Sequence, residues 1–517
     1  MLEKLCTSNT LIMSAKTVNI IGGGMAGLCA GCYLQMNGYD VTIFEMNSTP
    51  GGVCTSWKRG EYTIDLCLHW LVGSGANSGL HERWNELIDL NDFRFVDHEE
   101  FIRVEDESGN HISVFGDIDR LEQELLQKAP EDEKVIHEFI SGLRKLSTFD
   151  MPGDEAPEVA NVWHRIKSFA QLVPYLPTFG KFMKMTCRDY SEHFKNPLLK
   201  KVMLYLPDPD VGIIFGMLAL TWFHNKTAGY PIGGSLNFAT KIFERYLELG
   251  GKVLFDARVK EIIVEEDKAV GIALSNGEKH FADLTISAAD GHATIFDMLH
   301  GKYGDEKLMK FYETARPFPS LIFAAFGINR DLRSEPKLLL LTLEKPMVID
   351  PQTAMNEILL YNHSFDPTLA PEGKTLITAM LSTYNYEYWD KLYSEDKTKY
   401  ESEKKRLTDE IIAILEQRFG GIRQSIEMTD LSTPVTFSHF SGNWKGSYEG
   451  WLLTPEAGFK HLPHTLKGLK NFYMCGQWVT IGGGLPGALI SARDTAQIIC
   501  KEDKREFRTT IVSEALA

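Results

Sequence analysis

The sequence lacks several features that would each indicate a particular class of protein. No run of about 18 or more apolar residues occurs, so no segment is expected to cross a membrane as a helix. The first dozen residues contain Lys, Glu and polar residues without the apolar core of a signal peptide. The eight cysteines have no disulfide-framework spacing, which is typical of a protein in a reducing cytosol. Together these absences predict a cytoplasmic protein.

An excess of positive charge is also lacking. The formal net charge is −16 and the isoelectric point is about 5.5, so no nucleic-acid partner is expected. Cys29 and Cys32 fall within a predicted helix, where small residues pack against a sheet, and Pro463 interrupts the pair His461 and His464. The histidine pair also has no cysteine or acid partner at metal-site spacing, so no metal is expected.

The clearest motif is a glycine-rich turn after a short apolar strand near the start of the chain. The strand is predicted at 18–21, and Gly22, Gly24 and Gly27 follow it with G-x-G-x-x-G spacing. Gly22 allows the tight turn, Gly24 lets the backbone approach a pyrophosphate, and Gly27 lets the next helix pack closely on the strand. This pattern is typical of a dinucleotide site.

The helix and strand that follow complete a βαβ unit. Residues 25–37 have helical composition, with Met25 and Ala26 in the first turn, and the helix is expected to end at Gly38. Its N-terminal N–H groups and the positive end of its dipole favour phosphate. A second strand at 40–45 closes with Glu45, whose carboxylate is placed to accept hydrogen bonds from ribose hydroxyls and disfavours a 2′-phosphate.

A second glycine-rich turn near the end of the chain predicts a different role. A short strand at 471–476 precedes it and a helix to about residue 500 follows it, but no further strand and acid come after. A second nucleotide site is therefore not expected. With Pro486 suited to the first helical position, the helix N-terminus would instead stabilise negative charge on a reduced flavin ring. The residues assigned to this contact are Gly476, Gly484, Leu485, Pro486, Gly487 and Ala488.

The middle of the chain is predicted to contain strands. A helix at 235–249 precedes segments of alternating polarity at 252–255, 258–265, 269–275 and 281–287, separated by turn signals. These segments predict a three- or four-stranded antiparallel unit that returns to the first sheet. Residues 401–419 predict a charged surface helix.

One segment departs from the acidic character of the whole chain. Between Glu158 and Asp189 there is no acidic residue, while apolar residues recur at helical spacing on both sides of Pro174 and Pro177. Two short amphipathic helices are expected, and they have two interpretations. They dock on an anionic membrane, or they form a helical hairpin that covers the core. The residues concerned are Trp163, Ile166, Phe169, Val173, Arg165, Lys167, Lys181, Lys184 and Arg188.

The segment from Glu45 through Pro50-Gly51-Gly52, the stretch Gly60 to Asp65 and the closing Gly-Gly-Gly-Leu-Pro-Gly-Ala resemble the phytoene desaturase, carotenoid isomerase and retinol saturase family of FAD-dependent enzymes. The resemblance implies an α/β fold in which a Rossmann-like FAD-binding domain of the glutathione-reductase type carries an interleaved α+β substrate domain with a long apolar tunnel. It also implies non-covalent FAD, with Gly51 and Gly52 close to the isoalloxazine and the Val259 backbone at the adenine.

The family layout implies a domain order for these 517 residues. The FAD-binding domain comprises 14–85, 225–300 and 465–505, and the substrate domain comprises 86–224, which holds the possible membrane-contact helices, and 301–464. Two departures stand out. Val53, beside the flavin, replaces an arginine common in relatives, and Gln477 replaces a frequent aspartate.

The stretch Asp65 to Trp70 looks more like the saturases than the bacterial phytoene desaturases. Within this stretch His69 is the candidate for acid/base catalysis, since a histidine titrates near neutral pH. The alternative is a histidine with only a structural role. Three functions are considered: desaturation or saturation of an apolar polyene or isoprenoid lipid, redox-neutral isomerisation, and a lipid-binding escort like Rab GDP-dissociation inhibitors. Desaturation or saturation requires an external electron acceptor or donor.

Overall fold

The computed structural model describes residues 15–150, 155–458, 460 and 462–509. His461 and part of the loop that begins at Met151 lie outside the described residues.

The elements of residues 15–150 are β1 (Thr17–Ile21), α1 (Met25–Met36), β2 (Asp40–Phe44), β3 (Ser56–Arg59), β4 (Tyr62–Asp65), β5 (Leu71–Val72), α2 (Gly79–Asn85), β6 (Phe95–Val96), β7 (Glu100–Glu105), β8 (His111–Phe115), α3 (Ile118–Lys128) and α4 (Glu133–Leu146). Those of residues 155–300 are α5 (Val162–Leu172), α6 (Leu176–Phe182), α7 (Cys187–Ser191), α8 (Pro197–Leu204), α9 (Ile213–His224), β9 (Ala228–Pro231), α10 (Gly234–Glu248), β10 (Lys252–Leu254), β11 (Val259–Glu265), β12 (Lys268–Leu274), β13 (Lys279–Phe281) and β14 (Leu284–Ser287). The remaining elements are α11 (Glu306–Thr314), β15 (Ser320–Ile328), β16 (Leu338–Asp350), β17 (Thr353–Asn362), β18 (Thr375–Thr383), α12 (Tyr386–Glu395), α13 (Lys397–Phe419), β19 (Ile426–Ser432), α14 (Pro434–Ser441), β20 (Phe472–Met474) and α15 (Gly484–Glu502).

A five-stranded parallel sheet is the frame of the nucleotide-binding part. Its strand order is β10-β2-β1-β14-β20, so it takes strands from three separate stretches of the chain. Helices α1, α10 and α15 cover the sheet, and α1 packs against the other two. Cys29 and Cys32 are fully buried in α1, which confirms that this pair has a packing role.

The central strands divide between two sheets. Of the predicted three- or four-stranded antiparallel unit, the three-stranded form is correct. Strands β11, β12 and β13 form a three-stranded antiparallel sheet. The segment at 252–255 does not join them, because β10 pairs in parallel with β2, and Tyr246 in α10 holds β10 there by accepting a hydrogen bond from the Lys252 N–H at 3.1 Å. The segment at 281–287 begins with the last residue of β13 and then forms β14, which returns to the parallel sheet as expected.

A mixed seven-stranded sheet forms the second large unit, with the order β19-β15-β18-β17-β16-β7-β8. Side chains of β16 alternate between its two faces, as a strand requires. Leu339 and Leu341 pack with Trp389 of α12 and with α13, whereas Leu338 and Leu340 pack in the core formed by α3, α4 and α9. Helix α13 begins before the predicted position 401, and its buried face shows that it is not only a surface helix.

The basic and aromatic segment forms the two predicted helices. In α6, Phe179 and Phe182 are buried in the core beside α4 and α9. In α5 no residue is buried, and Trp163 and Phe169 are 80% and 61% exposed. Core packing therefore explains α6 and does not explain α5. No helix in the described part of the chain combines the length and the apolar character that a membrane crossing requires.

Candidate flavin site

The first glycine turn needs glycine for two separate reasons. Gly22 has a φ of +97°, in the left-handed region that other residues rarely adopt. Gly27 has no such φ, but a Cβ on it would lie 2.0 Å from the Gly22 carbonyl oxygen, so the helix could not approach the strand. A Cβ on Gly24 would meet only the Gly52 Cα, at 3.8 Å. One face of the turn is thus open at Gly24.

The N-terminus of α1 offers hydrogen-bond donors to an anion. Its N-cap is Gly24, which has no side chain to accept from the first turn, and no acidic residue lies in that turn. The N–H groups of the first turn, to which Met25 and Ala26 belong, have no acceptor within the helix. Together with the helix dipole, they fit a phosphate group.

Glu45 follows β2 directly and faces this turn. Its Oε2 accepts a hydrogen bond from the Gly23 N–H at 2.7 Å, and its Oε1 accepts from the Asn47 N–H at 2.8 Å and from Asn47 Nδ2 at 2.9 Å. A carboxylate has about four lone-pair sites, so one remains for a ribose hydroxyl. The chain that leads to Val259 runs alongside, because the Ala257 N–H donates to the Glu45 carbonyl at 2.9 Å.

A second glycine pair lies against the first turn. The Gly51 N–H donates to the Gly23 carbonyl at 2.9 Å, and Gly51 and Gly24 form an isolated parallel bridge. Gly51 and Gly52 have φ values of +109° and +60°. Val53 beside them is half-buried. The structure therefore brings together the two glycine groups that the sequence separates.

The C-terminal turn approaches the same place from the other side. Gly476 follows β20, and a Cβ on it would lie 3.2 Å from the Ala26 Cβ in the first turn of α1. Helix α15 begins at Gly484 after an N-cap, Gly483, that has no side-chain cap, and its first turn contains no acid. The residues after Gly484 are Leu485, Pro486, Gly487 and Ala488.

Pro486 is not at the first helical position, which corrects the sequence prediction. It is the third residue of α15, because the turn with positive φ at Gly482, Gly483 and Gly484 leads directly into the helix. Proline is tolerated here because the first-turn N–H groups have no helical acceptor. The N–H donors left to this helix end are those of Gly484, Leu485 and Gly487.

His69 does not have the near-neutral pKa that the sequence analysis expects. Burial, followed by the nearby His363 and Lys337, holds its pKa well below the usual range. Its ring stacks on Tyr361 at a centroid distance of 3.9 Å, and its Nδ1 is buried without a hydrogen-bond partner among the described residues. His69 is therefore a neutral imidazole, and a neutral imidazole is a weak proton donor.

Three other groups in this part of the structure have pKa values near neutrality, of which Asp65 is buried and Lys337 and Glu449 are half-buried. Burial raises the pKa of Asp65 to about 7, although hydrogen bonds from the N–H and Oγ of Ser235 oppose the shift. Burial lowers the pKa of Lys337 to about 7 and raises that of Glu449 to about 8. No sequence motif marks Lys337 or Glu449, since only the fold removes them from water.

Glu449 differs from Asp65 in having no partner. No hydrogen bond or ion pair to its carboxylate is found within the described ranges. It lies against the turn that begins α15: a Cβ on Gly483 would be 2.6 Å from the Glu449 Cγ, and a Cβ on Gly484 would be 3.1 Å from its Oε1. The Glu449 carboxyl group is thus beside the uncapped end of α15.

The fold and these turns define a dinucleotide-binding flavoenzyme architecture, in which three glycine-lined turns, one acid and two uncapped helix ends fit FAD. The sequence model of the flavin containing amine oxidoreductases matches residues 25–500, and the chain belongs to that family. It is an FAD-dependent oxidoreductase, with the predicted combination of a Rossmann-like domain and a substrate domain.

Relatives with known names extend over nearly the whole chain. Prolycopene isomerase 1, chloroplastic, of an Oncidium hybrid cultivar is 23% identical, covering 96% of this chain and 86% of its own. Phytoene desaturase (lycopene-forming) of Paracoccus sp. is 25% identical, covering 95% of this chain and 98% of its own. An oxidoreductase of known structure from Methanosarcina mazei shares the fold, with a TM-score of 0.56, 19% identity and coverage of 93% and 99%.

The role of Glu45 can be tested by reversing its charge. Glu45→Arg replaces a ribose acceptor with a group that cannot accept a hydrogen bond, so we expect the variant to lose its visible flavin absorbance on gel filtration. Glu265→Arg, at an exposed position at the end of β11, makes the same charge change and is expected to retain flavin. Full flavin retention by Glu45→Arg would contradict the assignment.

Proposed function

We propose that the protein desaturates or saturates C–C bonds of an apolar polyene or isoprenoid lipid of carotenoid or retinoid type. The surroundings of His69 carry this proposal. The neighbouring Trp70 packs on Phe101 and Phe223 at ring distances of 5.5 and 5.6 Å, and the nearby basic group, Lys337, has no ion-pair partner among the described residues, so no free carboxylate beside it would attract a protonated amine. Both features favour an apolar substrate over the amines that name the family.

FAD bound in this site would supply hydride transfer to or from carbon. We propose that the two uncapped helix ends hold negative charge on the cofactor, that Glu45 holds its ribose, and that Val259, Gly51, Gly52, Val53 and Gly476 line its path. We further propose that the FAD-binding domain comprises residues 14–85, 225–300 and 465–505, and that the substrate domain comprises residues 86–224 and 301–464. Electrons would pass to or come from a separate partner.

Isomerisation without net redox change is the second candidate. It is favoured because several of the relatives are named prolycopene isomerases. The same flavin site would serve it, and the two candidates differ in whether the product has lost or gained hydrogen. The escort alternative is disfavoured because the glycine turns and Glu45 needed for flavin are all in place.

Mass spectrometry of lipid extracts distinguishes the candidates. Cells that make polyene lipids and express the protein should contain a product one or more hydrogen pairs lighter or heavier than its precursor. Cells expressing Glu45→Arg should lack it. A product of unchanged mass and altered retention would indicate isomerisation, whereas extracts identical to those of the Glu45→Arg cells would overturn both candidates.

We propose that Glu449, rather than His69, holds a proton next to the flavin. Its carboxyl group is beside Gly483 and Gly484, at the helix end assigned to the flavin ring. Because burial raises its pKa to about 8, Glu449 is protonated at pH 7 and can donate a hydrogen bond. Above that pKa it is a carboxylate and would oppose negative charge on the ring.

A pH titration of the holoprotein tests this role. The absorbance of the bound flavin should shift with a midpoint near about 8 in the native protein and should lose that transition in Glu449→Gln. Glu456→Gln, at an exposed position nearby, is the control. Because the folded state binds this proton more tightly than the unfolded chain, the pKa of Glu449 being raised from 4.5 to about 8, its contribution to native stability should be lost as the pH rises from about 5 to about 8 and should stay constant above that, and Glu449→Gln should reduce this fall. Identical titrations for all three proteins would remove Glu449 from the site.

We propose that α5 docks on an anionic membrane surface. Its exposed apolar side chains continue into the next turn: Val162, Trp163, Ile166, Phe169, Val173 and Leu176. Lys181 and Arg188 are paired with Glu138 and Asp210 at 2.8 and 3.4 Å, which leaves Arg165, Lys167 and Lys184 to attract anionic lipid.

The apolar term outweighs the charge term in this docking. Three cations contribute about 3 kcal/mol at about 1 kcal/mol each. Full burial of one large apolar side chain contributes roughly 1.5–3 kcal/mol, so even half burial of six gives roughly 5 kcal/mol or more. We therefore expect high salt to weaken binding without abolishing it.

Flotation with anionic vesicles checks the docking surface. The double variant Trp163→Ser, Phe169→Ser should remain at the bottom of the gradient, whereas the native protein floats. Phe281→Ser is the control, since Phe281 is similarly exposed, at 64%, but lies on β13. Failure of the native protein to bind anionic vesicles at low salt would contradict the proposal.

A further inference from the structure

Four nitrogen-bearing side chains, one of them His69, converge with no acid forming an ion pair to any of them among the described residues. They are His69, His98, Lys337 and His363, here called the His-Lys cluster. His69 precedes β5, His98 follows β6, Lys337 precedes β16 and His363 follows β17. Their meeting depends on the tertiary fold, because no two of them share an element.

Distances show that the cluster is compact. Lys337 Nζ donates to the His69 carbonyl at 3.1 Å. Two aromatic rings hold the members together: His69 stacks on Tyr361 at 3.9 Å, and His98 and His363 lie 4.5 and 6.3 Å from the Phe365 ring. Lys337 Nζ is 5.6 Å from the same Phe365 ring.

Several nitrogens of the cluster have no hydrogen-bond partner, although His363 Nε2 pairs with the Thr378 hydroxyl at 3.0 Å. His69 Nδ1, His98 Nε2 and His363 Nδ1 are buried with no partner among the described residues, and His363 is only 3% exposed. Lys337 uses one of its three N–H groups. Leaving a buried polar group unpaired costs about 1–3 kcal/mol, so these nitrogens indicate a missing ligand.

The Asp366 carboxylate, whose charge acts on His363, cannot fill this role, because its oxygens are already occupied. Asp366 accepts from the Tyr230 hydroxyl at 3.1 Å, from the Gly233 N–H at 3.0 Å, and from the Thr368 N–H and hydroxyl at 2.9 and 2.6 Å. No ion pair to Lys337 occurs in the described part of the chain. Burial correspondingly lowers the pKa of Lys337, and also that of His98 to about 3 and of His363 to about 4.

We infer that the His-Lys cluster binds a carboxylate at one end of the otherwise apolar substrate. This inference rests on the proposed function and narrows its substrate class to polyene or isoprenoid acids. A carboxylate has two oxygens with about four acceptor sites, enough for the free Lys337 N–H groups and for imidazole N–H groups. Tyr361 and Phe365 flank the adjoining hydrocarbon. A pure hydrocarbon would leave the three unpaired imidazole nitrogens and the two remaining Lys337 N–H groups without a partner.

Binding to the FAD-loaded protein tests the inference independently of turnover. Retinoate, a polyene carboxylate, and its methyl ester are titrated while tryptophan fluorescence is followed. The native protein should bind the acid at least about tenfold more tightly than the ester, because a charge-assisted hydrogen bond is lost in the ester. Lys337→Met should remove this preference by weakening acid binding alone.

Matched variants separate recognition from folding. Lys345→Met changes an exposed lysine on β16, the strand that Lys337 precedes, and should keep the preference, and Lys337→Arg should restore part of it. If Lys337→Met fails to retain flavin, His363→Gln takes its place and should reduce the preference. Equal affinity of the native protein for acid and ester, or equal weakening of both by the variant, would overturn the inference.

The outcome does not depend on the fate of the proposed function. A preference for the acid without any redox product in lipid extracts would leave the carboxylate site standing and remove the proposed reaction. Turnover of a pure hydrocarbon by the native protein, with no preference for the acid, would support the reaction and remove the carboxylate site.

Discussion

The short hydrogen bond between the Gly23 N–H and the Glu45 carboxylate is the interaction on which the nucleotide-binding region depends. Through its backbone, Glu45 also donates to the Leu254 carbonyl and accepts from the Ala257 N–H, both at 2.9 Å. The Gly23 carbonyl in turn accepts from the Gly51 N–H. One buried acid thus joins the first turn, the parallel sheet and the chain to Val259, so the site and the fold are specified by the same contacts.

The part of the fold that could be predicted from the sequence is the part with local constraints. The positive φ of Gly22 and Gly38 and the apolar strand before the turn restrict the first βαβ unit so tightly that β1, α1 and β2 occur within a residue or two of their predicted bounds. The prediction that residues 252–255 join the antiparallel unit was wrong, because a short strand of alternating polarity fits either sheet. Its choice of the parallel sheet depends on Tyr246, a contact that only the folded chain makes.

The same distinction explains the candidate site. The glycines and Glu45 were identifiable because their roles require particular residue types at fixed spacing. Glu449 and Lys337 were not, since an acid or a lysine in a sequence is ordinarily a solvated surface residue. Their perturbed pKa values arise from burial by segments distant in the chain. His69 was identified for the wrong property, because its burial holds the imidazole neutral.

Asp65 and the His-Lys cluster are both removed from water, and the contrast between them is informative. Asp65 is fully buried, yet both its oxygens accept hydrogen bonds from Ser235, so it serves the fold. The three unpaired imidazole nitrogens of the His-Lys cluster together cost roughly 3–9 kcal/mol, which is comparable to the whole stability of about 5–15 kcal/mol of a typical domain. Apolar side chains at these positions would avoid that cost. Nitrogens retained there at such a cost are best explained by a ligand that recovers it on binding.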